Sequence, residues 1–299
     1  AALGMAAVVA FSLAACGGST DSADTTASES ETTEESTDAA ETEETADAAE
    51  ASGDGSYVIG ICQLVQHEAL DAATQGFNDA VTEALGAENV TFDEQNASND
   101  SATCATIINQ FVSNNVDLIL ANATAPLQAA AQGTDTIPVL GTSVTEYGVA
   151  LDIDNFDGLV GTNVSGTSDL APLDQQAAML QELFPDAETV GLLYCSAEAN
   201  SQYQVDTVQG YLEEMGYTCT QYSFSDSNDL AAVATTAAQE SDVIYVPTDN
   251  TVASNTEIIR NICEPAQVPI IAGEEGICSG CGVATLSISY YDLGVATGN

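Results

Sequence analysis

The chain has 299 residues, a single Lys or Arg (Arg260), 46 Asp or Glu, one His and a formal net charge of −45. So few cations exclude nucleic acid as a partner, because its phosphates are held by Lys and Arg, and they exclude phosphorylated ligands gripped by side-chain cations. Hydrophobic residues make up 45% of the chain, enough for sizeable cores, and the length suggests about two domains.

Residues 1–15 (AALGMAAVVAFSLAA) form an apolar run too short for an ordinary transmembrane span. They are expected to be a signal-peptide remnant, lacking a basic n-region and an initiator Met. The run ends in Leu13-Ala14-Ala15-Cys16-Gly17-Gly18, which resembles a bacterial lipobox and makes Cys16 the expected lipidation site. Residues 16–56 then read as a lipidated Cys plus an acidic tether. Ser, Thr, Ala, Asp, Glu and Gly dominate there, and such a segment cannot bury enough apolar surface to offset its chain entropy, so disorder is expected.

From Tyr57 the pattern changes. Residues 57–65 are a β-branched apolar run, as a strand buried on both faces should be. Residues 68–86 carry Leu70, Ala73, Phe77, Ala80, Val81 and Leu85 at helical spacing and end at Gly86. A strand at 90–97, a helix from Ser101 to Asn114, a strand at 117–124, a helix from Pro126 and a strand at 137–145 follow. The alternation then resumes. Residues 159–169 read as a strand and crossover, 172–184 as a helix, 189–196 as a strand and 200–215 as a helix. Strands at 218–225, 242–250, 269–276 and 283–290 and helices at 228–239 and up to about Cys263 complete it. This spacing means right-handed βαβ units and parallel sheets. The predicted fold is α/β, with two doubly wound parallel-sheet lobes joined by a hinge. The predicted N-terminal lobe is 57–164, completed by 284–299, and the C-terminal lobe is 165–283.

Open α/β sheets take ligands at the carboxyl ends of their strands, so the expected site is the cleft between the lobes. Polar residues cluster at these ends: His67; Asn122 and Thr124; Thr142 and Ser143; Ser168 and Asp169; Ser196, Glu198, Asn200 and Ser201; Thr248, Asp249 and Asn250; Glu274 and Glu275; Tyr290. Many precede a helix, where the alternative is a plain N-cap.

The segments His67-Glu68-Ala69-Leu70-Asp71, Gln95-Asn96-Ala97, Ala121-Asn122-Ala123-Thr124, Ser165-Gly166-Thr167-Ser168-Asp169, Tyr194-Cys195-Ser196-Ala197-Glu198-Ala199-Asn200-Ser201, Val246-Pro247-Thr248-Asp249-Asn250-Thr251 and Tyr290-Tyr291-Asp292-Leu293-Gly294 are spread over the whole region from Tyr57. Together they resemble the ABC-transporter substrate-binding lipoproteins of the type I periplasmic-binding fold, and within them the branch associated with tryptophan, tyrosine and phenylalanine. The resemblance implies a non-enzymatic, lipid-anchored, extracytoplasmic monomer without cofactor or metal. It would bind an amino acid by domain closure and pass it to a membrane ABC permease. It also implies a C-terminal helix, which is expected to be cut short at Asn299, leaving one face of the first lobe less covered. Family members are rich in surface Lys, so the charge reads as depletion of cations from an ordinary binding protein.

With one Arg in the chain, an α-carboxylate would rely on helix N-termini and on hydroxyls of Thr124, Thr142, Ser168, Ser196 and Ser201. Asp249 is the first expectation for the ammonium partner and Glu275 the second. Tyr290, Tyr147 and His67 are the expected stacking groups. A sugar or nucleoside ligand is the alternative within the same fold. An exported thiol-redox enzyme using Cys278 and Cys281 is the alternative of another class, although this CxxC is expected to lack the strand-to-helix context of a redox motif. Cys195 with Cys219, and Cys278 or Cys281 within a local group containing Cys263, are candidate disulfides. Cys62 is expected to be a core thiol.

Overall fold

The computed structural model describes residues 56–299, so the signal remnant, Cys16 and the tether lie outside the described residues. The first strand shows how the sequence builds the layers. In β1 (Tyr57–Gln63), Ile59 and Ile61 point to one face of the sheet, where they meet Phe77 and Val81 of α1 (Glu68–Leu85). Cys62, together with Leu64 just beyond the strand, points to the other face, against Cys104, Ile108 and Phe111 of α2 (Ser101–Asn114). Period-two alternation with apolar residues on both sides is what a strand covered on both faces requires.

β2 (Val90–Asn96), β3 (Leu118–Asn122), β4 (Val139–Val144) and β5 (Val164–Ser168) complete a parallel sheet in the order β2-β1-β3-β4-β5. α3 (Thr124–Gly133) packs with α2, and a one-turn helix, α4 (Tyr147–Ala150), follows β4. The second sheet repeats the topology. Its strands are β6 (Thr189–Cys195), β7 (Thr218–Phe224), β8 (Val243–Val246), β9 (Ile270–Ala272) and β10 (Ala284–Thr285), in the order β10-β9-β8-β6-β7. Its helices are α5 (Leu173–Leu183), α6 (Ala199–Glu214), α7 (Ser227–Glu240), α8 (Asn250–Ala253), α9 (Thr256–Ala266) and α10 (Glu275–Cys281). Cores lie on both faces of this sheet as well. These are two doubly wound lobes, as the strand–helix alternation predicts.

Several details differ from the sequence reading, among them the predicted strand at 242–250, which ends at Val246 before α8. β5 lies wholly in the first sheet, so the chain crosses between sheets after Ser168 rather than at 164/165. The predicted strand at 269–276 ends at Ala272, because the buried Glu274 carboxylate caps a helix by accepting the Gly276 N–H at 2.6 Å and the Ile277 N–H. The predicted strand at 283–290 is only β10. Ser289 accepts the Asp292 N–H at 3.2 Å and starts α11 (Tyr290–Gly298). Finally, the face expected to be less covered carries α11, which lies along α1. A Cβ at Gly76 would strike the Tyr291 carbonyl and one at Gly294 the Ala73 carbonyl, so two glycines set this close approach.

Of the 46 acids, 13 fall before Tyr57, and the remaining 33 share the lobes with Arg260 alone as Lys or Arg. Like-charge repulsion at this density opposes the compact state. The melting temperature should therefore climb by several degrees between about 0.01 M and 0.5 M NaCl, as the screening length falls from about 30 Å to a few ångströms. A flat salt response would show that the acids do not load the fold.

Candidate ligand-binding cleft

The carboxyl ends of both sheets face each other, and side chains from the two lobes meet there. His67 Nε2 lies 3.1 Å from Asn250 Oδ1, and Asn99 Nδ2 donates to Thr251 Oγ1 at 2.9 Å. Gln204 Nε2 reaches Thr145 Oγ1 at 3.5 Å, and Ser279 Oγ reaches Glu68 Oε2 at 3.4 Å. The lobes are thus in hydrogen-bond contact. A pocket of about 100 Å³ remains between them, lined from one side by Leu64, Asn99 and Thr124 and from the other by Glu198, Asn200 and Thr251.

Three buried polar atoms near the carboxyl ends of adjacent strands of the first sheet have no hydrogen-bond partner: Asn122 Oδ1 at the end of β3, Ser143 Oγ in β4 and Asp169 Oδ1 just after β5. Asn122 Nδ2 is fixed by the Leu70 carbonyl and Thr74 Oγ1, both at 2.9 Å, so its carbonyl oxygen is the free end. Ser143 and Ala123 hold positive φ angles of 54° and 104°. Such conformations are unfavourable for L-residues and concentrate at functional sites. Asp169 is 3% exposed. Its Oδ2 accepts the Tyr290 hydroxyl at 2.9 Å, and burial pushes its pKa up against this bond. Few buried polar groups in native proteins lack a partner, and a half-satisfied buried acid invites a donor.

Most of the other expected site residues also make hydrogen bonds within their own lobe. Asp249, 1% exposed, accepts the Val252 N–H at 2.9 Å and the Cys195 N–H at 2.7 Å. It caps α8 and ties that helix to β6. Burial, and then the Glu198 carboxylate, push its pKa up to about 8. Glu198 is filled by the Asn250 and Thr251 backbone N–H groups and by their side chains, at 2.7–3.0 Å. Asn200 Nδ2 donates to the Thr248 carbonyl, and Ser201 is fully buried beside Asp249. The Thr248 N–H donates to Gln204 Oε1 at 3.1 Å. Ser196 Oγ donates to the Phe224 carbonyl, and Ser168 Oγ donates to the Thr145 carbonyl. The Thr142 hydroxyl takes a bond from Thr297 of α11. Tyr147 is a core residue whose hydroxyl donates to the Thr167 carbonyl at 3.0 Å, a packing role in place of the expected stacking one. Tyr290 orients Asp169 through its hydroxyl. Glu275 is exposed at the start of α10.

Both Asp249 oxygens accept a backbone N–H, which favours a capping role over the expected one as ammonium partner. Asp249→Ala should lower unfolding free energy by about 2 kcal/mol through the lost cap and an unpaired buried N–H. Ligand affinity should stay within about threefold, as read by denaturant melts and calorimetry. Lost binding at unchanged stability would return this residue to the site.

Residues outside the expected set also matter. Gln63 receives Thr74 Oγ1 at 2.7 Å and donates to Asp71 at 2.6 Å, and so braces the start of α1. Gln204 and Asn99 bridge the lobes. Their sequence contexts, a helix interior and a loop, carry no signal for this. Arg260 is exposed on α9 and lines an open groove of about 840 Å³ at the amino ends of the second sheet, away from the strand carboxyl ends, together with Cys263 and Cys281.

All seven cysteines among the described residues are free. Cys195 pairs with Phe224 and Cys219 with Val190 in the β6–β7 ladder. The two cysteines are therefore five ladder positions apart, about 16 Å at strand rise, and the expected bridge does not fit the roughly 6 Å that a disulfide spans. Cys278 and Cys281 do stand in a strand-to-helix context, on α10 after β9. Burial pushes both thiols up, Cys281 to about 12, and the acids Glu274 and Glu275 add to the shift at Cys278. This is the opposite of the low-pKa thiolate that redox catalysis uses.

Two equivalent lobes meeting at their strand ends, with unpaired polar groups there, define a two-lobed solute-binding protein of the type I periplasmic-binding fold. The chain belongs to the ABC transporter substrate binding protein family, whose sequence profile matches residues 58–299. It is 36% identical over 245 residues to a tyrosine-binding protein of Clostridioides difficile, covering 80% of this chain and 70% of that one. It superimposes on a Streptococcus pneumoniae ABC domain in complex with L-Trp with a TM-score of 0.78 at 32% identity, over 82% of this chain and 83% of that one. The ligand-free, open structure of a Clostridium difficile substrate binding protein with adhesive properties gives a TM-score of 0.57 at 38% identity, over 81% and 82%.

Proposed function

We propose that this chain is the extracytoplasmic receptor of an ABC importer for an aromatic amino acid, which it binds between the lobes by domain closure and delivers to a membrane permease. The observation that carries the reading is Asp169 Oδ1, a buried carboxylate oxygen without a partner at the point where the chain crosses between lobes. The α-ammonium of an amino acid supplies the N–H donors and the charge that it lacks. Asn122 Oδ1 and the Ser143 hydroxyl offer further acceptors at the neighbouring strand ends. For the α-carboxylate, α3 and α6 approach the inter-lobe pocket from opposite lobes, and neither carries a side-chain cap. Two helix N-termini attract an anion without any Arg.

The relatives named for tyrosine and complexed with L-Trp support an aromatic side chain. Closure is supported by the cross-lobe hydrogen bonds. It is also supported by the higher TM-score against the L-Trp complex than against the open form, although the open form is the more identical in sequence. Thermal denaturation against the twenty amino acids and a sugar panel tests the reading. Phe, Tyr or Trp should stabilise selectively, by about 2.7 kcal/mol at one hundred times Kd, and the N-acetyl derivatives should not. Stabilisation by a sugar, or by none of the aromatic amino acids, would reject it.

A further inference from the structure

Cys62 and Cys104 are both completely buried, and both belong to the core between the first sheet and α2. Their approach follows from the packing. Gly60 and Cys62 are two residues apart on one face of β1, and Cys104 and Phe111 are two turns apart on one face of α2. At Gly60 a Cβ would stand 2.6 Å from the Phe111 ring. Because α2 runs back along the strand, this contact brings Cys62 level with Cys104 inside one core cluster. The connection is tight at the same end. Ala97 N–H donates to the Gln63 carbonyl at 2.9 Å, and Asn99 N–H to the Leu64 carbonyl at 2.8 Å.

We propose that Cys62 and Cys104 form a structural disulfide that clamps the end of β1 to the start of α2. ABC substrate-binding proteins are extracytoplasmic, where disulfides persist. The oxidant is an external disulfide of a thiol oxidase or a small thiol. One cysteine thiolate attacks it and expels one thiol. The second cysteine thiolate then attacks the mixed disulfide and expels the other. The chain loses two protons and two electrons, and the external disulfide becomes two thiols. Full burial places this exchange in the folding chain and shields the finished bond from reductants. Cys62 lies at the end of the strand before the loop that carries His67, and Cys104 lies in the first turn of the helix after the loop that carries Asn99, and through these loops the first lobe reaches Asn250 and Thr251. Its effect is to hold those two bridging loops in register for closure.

The test is made on the full chain, purified without reductant. Thiols are alkylated in denaturant, and the chain is digested with a protease cutting after Asp and Glu, since it has only Arg260 for trypsin. A linked pair of peptides containing Cys62 and Cys104, released by reduction, is expected. Reduction should also lower the melting temperature by about 10 °C, and the Cys62→Val, Cys104→Ala double variant should lose this sensitivity. Alkylation of both thiols in the unreduced chain, or a bridge confined to Cys263, Cys278 and Cys281, would overturn the proposal.

Discussion

Asp169→Asn is expected to weaken amino-acid binding by about 100-fold or more while leaving the ligand-free protein as stable as before, or more so. The two effects share one cause. The Asn amide oxygen can still accept the Tyr290 hydroxyl, which holds Asp169 Oδ2 at 2.9 Å. The position of Oδ1, unpartnered and buried, becomes an NH2 that repels an ammonium. Removing one member of a buried, hydrogen-bonded charge pair costs about 2–5 kcal/mol of binding. Without ligand, the same substitution removes a carboxyl whose charged form burial already disfavours. A residue with a purely structural role would show the reverse pattern, with lost stability and retained affinity. Calorimetric titration with tyrosine and tryptophan, alongside melts of the free protein, reads both, and unchanged affinity would remove Asp169 from the site. Tyr290→Phe should give a milder loss, because it only releases the orienting hydroxyl.

The free protein should be most stable near pH 5 and lose stability as the pH rises to about 8. Glu274 is 2% exposed, and burial pushes its pKa up to about 7 against two backbone N–H donors, with Glu68 and Glu275 adding to the rise. Asp249 is raised to about 8 by burial and by Glu198. Unfolded carboxyls titrate near 4. Between about pH 4 and the folded values the native state holds more protons than the unfolded chain, so stability falls with rising pH. The contribution is fully present below pH 4 and gone above about 8. Glu274 alone accounts for roughly 3 kcal/mol at 1.4 kcal/mol per pH unit. Deprotonation of surface acids adds repulsion in the same direction, but salt screens that part. In about 0.5 M NaCl the slope between pH 5 and 8 should persist, and Glu274→Gln with Asp249→Asn should flatten it. A melting temperature that rises over this interval would contradict the burial of these two acids. Glu68 comes from the opposite lobe, so part of the load on Glu274 exists only when the lobes are together.

Much of this protein is legible without coordinates, and the particular elements show why. Ile59, Ile61, Leu70, Phe77 and Val81 declare β1 and α1 because apolar periodicity is a local property that burial on two faces imposes. Repeating that pattern twice fixes two doubly wound lobes, and the rule for strand carboxyl ends then points to the edge of each sheet where the proposed site lies. What failed was local wherever a single polar contact overrode periodicity. Glu274 turned a predicted strand into α10 by capping it, and Ser289 did the same for α11. Among the polar residues at the cleft edge, sequence could not separate ligands from caps. Asp169, Asp249 and Glu198 are the same chemistry at equivalent places after a strand.

The sequence by itself determined the α/β class, the repeated lobe, the cation depletion and the set of polar residues from which the proposed site is drawn. Only the tertiary structure decided which of them the fold itself occupies. Backbone N–H groups of α8 and β6 consume Asp249, neighbouring side chains and backbone fill Glu198, and Asp169 keeps one oxygen unpaired. It likewise set Cys62 against Cys104 and kept Cys195 far from Cys219, because partners are chosen by strand register and helix packing between residues tens of positions apart.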